Sequence, residues 1–465
     1  MTADELAFLT ATEQARLIQR GEVSPVELVE TYLDRIDRLD PQVNAFVTVA
    51  GEVALAEARE AEQAPSNRPF HGVPLPVKDM TETAGLRTTY SSRAFEQYVP
   101  DKDVAVVRRL REAGFIVLGK TNLCEFGSMT VTESLLNGPC RNPWDPALNA
   151  GGSSGGAAAA LAAGLSPVAH GTDGGGSIRI PASCCGLFGF KPARGRISRA
   201  PYAPFEGLPT DGPIARSVLD AAAFLDATQG YELGDPWWAA PPSRAYAEEA
   251  AAPPGRLRIA FTTHPPVDLP VSEPCAQAVE DAARLLAELG HDVEEAVPDW
   301  RDPLLADAFA VVWQVGAALM QVDDLSLLDP VNRALVEAAR RTTSADYGRA
   351  VIALSAWARR VIAFWGDVDV LVTPTMAQAQ APVGWMTGAD RDLRDVFDRS
   401  WRFTPFTCTA NLTGLPAASV PLAWEEGLPV GVQLIGPPAG DAMLIRLAAQ
   451  LEEARPWADQ RPPIS

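Results

Sequence analysis

Lysine is nearly absent from this chain: of 39 basic residues, only Lys78, Lys102, Lys120 and Lys191 are lysine, and the rest are arginine. Arginine keeps its proton, so any task that needs a neutral amine near neutral pH falls on one of these positions. Histidine is as scarce. His71, His170, His264 and His291 stand in no HExxH or HxxxH pattern, which removes the usual helical zinc sites. The six cysteines (Cys124, Cys140, Cys184, Cys185, Cys275 and Cys408) include no CxxC pair and have no histidines at zinc spacing, so no metal is expected. Cys184 and Cys185 are expected to be buried small residues, with a redox pair as the alternative.

Long apolar runs are missing too. The longest, such as residues 157–165, fall well short of the roughly 20 residues that span a bilayer. The opening MTADELAFLT holds no basic segment of the kind that begins a secretory leader, so a soluble, cytoplasmic protein without a membrane partner is expected. Basic excess is lacking as well: 59 acidic residues against 39 basic ones give a formal charge of −20. That balance argues against nucleic acid or an anionic membrane as partner. What is present is ordinary for a folded enzyme, 47% hydrophobic and 21% charged over 465 residues.

Ser24-Pro25-Val26-Glu27 reads as a capping box with proline at the first helical position, and Leu28, Tyr32, Leu33 and Ile36 follow at helical spacing. Residues 1–65 are therefore expected to be a helical segment packed on the core. Strand-like runs at 115–118, 167–169, 257–261 and 368–372 alternate with helical runs at 104–111, 156–163, 273–289 and 441–453. The alternation predicts an α/β fold, a large mixed and mostly parallel sheet flanked by helices on both faces. The Pro/Ala-rich stretch 236–254 reads as a surface excursion, and no internal repeat is evident.

Two glycine-rich stretches need a physical reason, because glycine is costly to order. GGSSGG at 151–156 runs straight into AAAALAAGL, so it opens a helix and is no linker. It meets the G-x-S-x-G pattern at Ser153 and Ser154, yet the preceding 142–150 is proline-broken and turn-like where a hydrolase elbow needs a strand. No Gly-Lys-Ser/Thr closes it as a phosphate loop. The second stretch, GTDGGGSIR at 171–179, sets three glycines before Ser177, as a left-handed turn or a close backbone approach requires. Lys78 ends the apolar run 73–78, where desolvation disfavours the ammonium; the alternative is a strand-end lysine whose head reaches water.

In order and spacing, GVPLPVKD (72–79), GKTN (119–122) with Glu125-Phe126, NPWD (142–145), GGSSGG, GTDGGGSIRIP (171–181), Cys185-Gly186 and Lys191-Pro192 resemble the amidase signature family. DVLVTP (369–374), NLTGLP (411–416) and LPVGVQLIG (428–436) are similar to its C-terminal blocks, so the resemblance runs from about residue 20 to about 455. It implies one amidase domain over 1–465, with a signature catalytic core at 66–230 and a variable substrate-entrance region at 297–401. It implies a Ser-cisSer-Lys triad: nucleophile Ser177, bridging Ser153 after a cis peptide, and Lys78 as base. The N–H groups of Gly174, Gly175, Gly176 and Ser177 are then the expected oxyanion hole, and Met129 and Thr130 lie on the acyl side of the substrate pocket. Neither a metal nor another cofactor is implied.

Around that triad, Asp173 and Arg179 are expected to form a structural ion pair, Ser154 to cap the following helix, and His170 to sit in the core or behind the lysine. Trp300, Trp313, Trp357, Trp365, Trp385 and Trp401 fall in or beside the variable region; most are expected in the core and some at the site. Gly174 and Met80 depart from the family pattern. Segments 127–131 and 376–382 carry no charge, so a hydrophobic substrate, an aryl or long-chain amide, is expected, with small carbamates and nylon-type oligomers as further candidates. The chain is expected to be a monomer or homodimer. The alternatives are the glutamine-hydrolysing subunit of a tRNA-dependent amidotransferase, which needs a partner, and an inactive binding scaffold.

Overall fold

Single side chains set where the first helices begin. Thr2, Thr10 and Ser24 each accept a hydrogen bond from the backbone N–H three residues on, and Pro25 takes the first turn of the helix Pro25–Val43. The computed structural model describes residues 1–64, 66–202, 207–378, 380–387 and 392–465. In it the N-terminal segment is helical as expected except for one strand, β1 (Phe46–Val49). Asn44 causes the exception: at φ 54° it closes the helix in the left-handed region, and Asp40 accepts from the N–H of Ala45 at 2.7 Å, which turns the chain. Leu28, Val29, Tyr32 and Ile36 then share one buried cluster with Ala157 to Ala163.

β1, β2 (Pro74–Lys78) and β3 (Ile116–Thr121) form a small sheet with β3 in the middle. β4 (Arg141–Asn142) and β5 (Asp145–Asn149) pair as a short hairpin, where the sequence reads as turn alone. The main sheet holds β6 (Val168–Asp173), β7 (Phe188–Lys191), β8 (Thr210–Ala215), β9 (Arg258–Phe261), β10 (Asp292–Glu295), β11 (Val370–Pro374), β12 (Ala417–Glu425) and β13 (Leu428–Ile435). Its order is β10-β9-β11-β13-β12-β7-β8-β6. The α/β class and the large mixed sheet are as expected, but the sheet is not mostly parallel. Only β9 pairs in parallel, with β10 and β11; the other five pairings are antiparallel. One of these pairings is set locally: Glu426 (φ 50°) and Gly427 (φ 82°) close a tight β12–β13 hairpin that lies between β11 and β7.

Alternation along the strands gives the sheet two buried faces. Val370 and Val372 join the cluster beneath the helices Glu273–Glu288 and Asp441–Ala454, whereas Leu371 faces the cluster of Trp357 and Leu354 on the helix Ser344–Ile362. Because β11 lies in the interior of this sheet, region 297–401, expected as an entrance, contributes to the core. The helix Gly155–Ala162 carries no charge, and every residue in it is buried. Its start lies so close to the end of β3 that a Cβ on Gly156 would stand 2.3 Å from the Asn122 nitrogen and 2.5 Å from the Ala45 oxygen. Glycine is required there.

Buried arginine ties the helical segment down. Arg216 donates to the carbonyls of Leu161 (3.1 Å), Ser166 (2.9 Å), Ala7 (3.0 Å) and Leu9 (3.0 Å). Arg216→Ala strands these acceptors and should lower stability by about 3 kcal/mol. A urea-unfolding midpoint equal to that of the parent protein would contradict this role.

Candidate active site

β2 delivers Lys78 to the interior, with no solvent exposure at all. Its Nζ lies 2.8 Å from Ser153 Oγ, 2.8 Å from Thr172 Oγ1 and 3.5 Å from the Thr172 carbonyl oxygen. Burial pushes the ammonium down to about 7, although Cys124 and the carboxylates of Asp173 and Asp211 pull the other way. The strand-end alternative, with the head in water, therefore fails. His170 sits behind the lysine: its Nδ1 accepts from the Lys78 backbone N–H at 3.4 Å, and its Nε2 lies 2.9 Å from Asp211. Burial lowers its pKa, so the neutral ring that donates from Nε2 fits both contacts.

Ser153 follows a cis peptide bond from Gly152, as the resemblance implied. Ser154 stands at the N-cap of the next helix without making a capping bond; its hydroxyl instead donates to the Thr172 carbonyl (3.2 Å) and accepts from the Thr172 N–H (3.3 Å). The helix start is thereby pinned to β6, and Ser154 N–H donates to the Ser177 carbonyl at 3.2 Å. Ser153 and Ser177 line one cavity, and no hydrogen bond joins their hydroxyls among the described residues.

The loop carrying Ser177 is folded around a buried ion pair. Arg179 meets both oxygens of Asp173, at 3.0 and 2.9 Å, and its other donors reach the Thr407 carbonyl (2.8 Å), Gln433 (2.6 Å) and Asn411 (2.8 Å). Burial alone would raise the Asp173 pKa, but the guanidinium more than offsets it and holds the carboxylate well below its usual range. Asp173 also accepts from the N–H of Gly176 (2.8 Å) and of Ile178 (3.1 Å). Gly176 is thus withdrawn from the expected oxyanion set, because its N–H is already committed. Those of Gly174, Gly175 and Ser177 make no hydrogen bond among the described residues.

Ser177 opens onto two cavities. The larger, about 250 Å³, is lined by Ser153, Thr172, Gly174, Met80, Arg199 and Met320, among others. The smaller, about 60 Å³, is lined by Gly175, the expected Met129 and Thr130, Phe309, Trp401 and Cys408. Ser128 and Trp313 line both, and Trp313 Nε1 donates to the Ser128 carbonyl at 3.0 Å, so the bridge between them divides the site. Trp300, Trp357 and Trp365 are core residues and Trp385 packs, partly buried, against the core away from both cavities, which leaves Trp313 and Trp401 at the site. Arg199 is the charged side chain on the larger cavity, and Asp211 pairs with it at 3.0 Å. The described residues of 376–382 border neither cavity, Met376, Ala377 and Ala381 being buried; Ala379 lies outside the described residues.

Among the described residues no group of His, Cys, Asp and Glu is arranged to hold a metal ion. A family model described as Amidase matches residues 27–445. This chain belongs to the amidase family. As a member it is an amide C–N hydrolase. The amidase is 42% identical to a putative amidase, AmiB2, of Mycobacterium tuberculosis, over 100% of each chain. It superposes on a 6-aminohexanoate cyclic dimer hydrolase complexed with substrate at a TM-score of 0.94, with 36% identity over 98% of this chain and 99% of that one. A bacterial aryl acylamidase of the amidase signature family gives a TM-score of 0.89 and 27% identity over 97% of each chain.

Sequence reasoning passed over Thr172, Arg199, Asp211, Asn411 and Gln433. Asn411 and Gln433 stand inside blocks that carried the resemblance, and their position on Arg179 is a physical reason for those blocks. The three glycines also separate. Gly176 has φ 132°, and a Cβ there would lie 2.5 Å from Thr407 Oγ1, whereas a Cβ on Gly174 would meet Trp313 at an ordinary 3.5 Å. Gly176→Ala should therefore cost about a hundredfold or more in kcat/KM or prevent folding, and Gly174→Ala about tenfold at most. Equal losses for the two variants, measured on soluble protein, would contradict this division.

Proposed function

We propose that this amidase cleaves hydrophobic or aryl amides through an acyl-enzyme on Ser177, with Ser153 and Lys78 as its proton relay. The observation that carries the reading is the contact of a fully buried lysine with Ser153 Oγ at 2.8 Å. With its pKa brought to about 7, roughly half of the amine is neutral at neutral pH, against about one in 2,500 for an ordinary lysine. In the neutral form two N–H bonds point at Thr172 Oγ1 and the Thr172 carbonyl, and the lone pair receives the Ser153 proton. Ser153 in turn takes the proton of Ser177 as Ser177 attacks the amide carbon.

The negative oxygen that develops is met by the N–H groups of Gly174, Gly175 and Ser177, each donor of this kind being worth about 3 kcal/mol. Collapse of the intermediate needs a proton on the leaving nitrogen, and Ser153 supplies it as Lys78 returns one to Ser153. Water activated by the same relay hydrolyses the ester and restores Ser177. Carbamates, whose carbonyl is attacked in the same way, and nylon-type oligomers fall within this chemistry. A charged amino-acid amide such as glutamine fits poorly, because the site's charged side chain, Arg199, is already paired with Asp211.

Ser177→Ala should lower kcat by about a thousandfold or more with the fold intact, and a sulfonyl fluoride should label Ser177. Labelling of Ser153 or Ser154 would contradict the assignment. Lys78→Arg keeps charge but cannot offer a lone pair, so it should be nearly as inactive as Lys78→Ala, and activity above about a tenth of the parent would sink the relay. Since the neutral amine is the active form, kcat/KM should rise about tenfold per pH unit below 7 and level off above it. On purified protein an anilide should be cleaved at least about tenfold faster than glutamine; the reverse order would favour an amidotransferase subunit.

A further inference from the structure

Resting on that reading, we infer that the two cavities divide the substrate unequally: a short acyl group sits in the small one, and a bulky uncharged amine leaves through the large one. The direction follows from the proton. Ser153 must protonate the departing nitrogen, and Ser153 lines the larger cavity and not the smaller. The amine therefore lies on that side, and the acyl carbon chain extends past Met129 towards Phe309 and Trp401. The amides support the same placement. Gly174 borders the larger cavity, Gly175 the smaller, and Ser177 both, so a carbonyl oxygen held by their N–H groups sits on the boundary with one substituent in each space.

Size then sets the class. The larger cavity, about 250 Å³, has roughly four times the volume of the smaller, about 60 Å³, so the bulkier part of the substrate belongs on the Ser153 side. A short acyl group such as acetyl suits the smaller, and an aromatic amine suits the larger. The small cavity is also stiffly walled: Phe309 stacks on Trp313 with ring centres 5.3 Å apart and meets Trp401 edge-on at 5.7 Å. Trp313 is fixed by its bond to the Ser128 carbonyl, so the two spaces do not merge without breaking it. On the amine side, the Arg199 charge is met by Asp211, and Met80 and Met320 supply adaptable apolar wall, which suits a neutral ring.

The test holds the amine constant and varies the acyl group, so that leaving-group chemistry cancels. The parent enzyme should hydrolyse acetanilide at least about tenfold faster in kcat/KM than hexananilide. Trp401→Ala opens the small cavity and should lower that acetanilide-to-hexananilide ratio about tenfold. Met320→Trp fills the large cavity and should lower the ratio of acetanilide to propionamide, two substrates with short acyl groups and different amines. Hexananilide cleaved as fast as acetanilide by the parent enzyme would overturn the inference, as would a Trp401→Ala ratio equal to the parent's. Hydrolysis of none of these amides, with Ser177→Ala indistinguishable from the parent, is a different outcome and would overturn the proposed function itself.

Discussion

Desolvation of one amine is the constraint on which the rest of the site depends. A lysine in water holds its proton far above neutral pH; only burial makes its lone pair available there. The fold provides the burial by ending β2 inside the protein and closing the space with the uncharged helix Gly155–Ala162 and with β6. Three of the four lysines are buried, and burial depresses each: Lys120 to about 8, Lys191 to about 7 and Lys78 to about 7. Lys191 donates to the Pro192 carbonyl, and Lys120 to the Thr81 carbonyl and Thr88. Lys78 is the one that meets Ser153 and Thr172, hydroxyls of the cavity onto which Ser177 opens. Burial is common to the three; the contact with Ser153, the proposed relay hydroxyl, sets Lys78 apart.

A second buried charge positions Ser177, the proposed nucleophile. Asp173 and Arg179 are both without solvent exposure, an arrangement that costs several kcal/mol unless every donor and acceptor is met. Here they are met by the loop itself and by three distant residues, Thr407, Asn411 and Gln433. The pair therefore serves as a hub: it shapes the turn that presents Ser177 and joins that turn to the last third of the chain. The proposed reacting residues lie between 78 and 177, and this hub gives a physical reason why the family match extends over 27–445.

Much of this was legible in the sequence where the signal is local. Three glycines before Ser177, a helix-opening GGSSGG and a lysine at the end of an apolar strand are short-range patterns, and the fold brings all three together. What sequence reading missed depends on residues far apart in the chain. The Gly176 N–H turns back to Asp173 only three residues away, but Asp173 is held in that place by Asn411, 238 residues on. Nothing near Trp313 says that its indole reaches Ser128, 185 residues away, and splits the cavity. The strand pairing failed for a related reason. Alternating strands and helices look parallel from one end of the chain, and the β12–β13 hairpin that reverses the pattern depends on just two residues, Glu426 and Gly427.

The scarcity of lysine makes the central claim directly measurable. With 13C at the lysine Cε, this chain gives four side-chain signals, and Lys78→Arg identifies the one that belongs to Lys78. The account predicts that this signal titrates near pH 7, about three units below an ordinary lysine. Titration of the Lys78 signal near pH 10 in the folded enzyme would mean that the amine is charged throughout the working range, and the relay from Ser177 through Ser153 would have no base at its end.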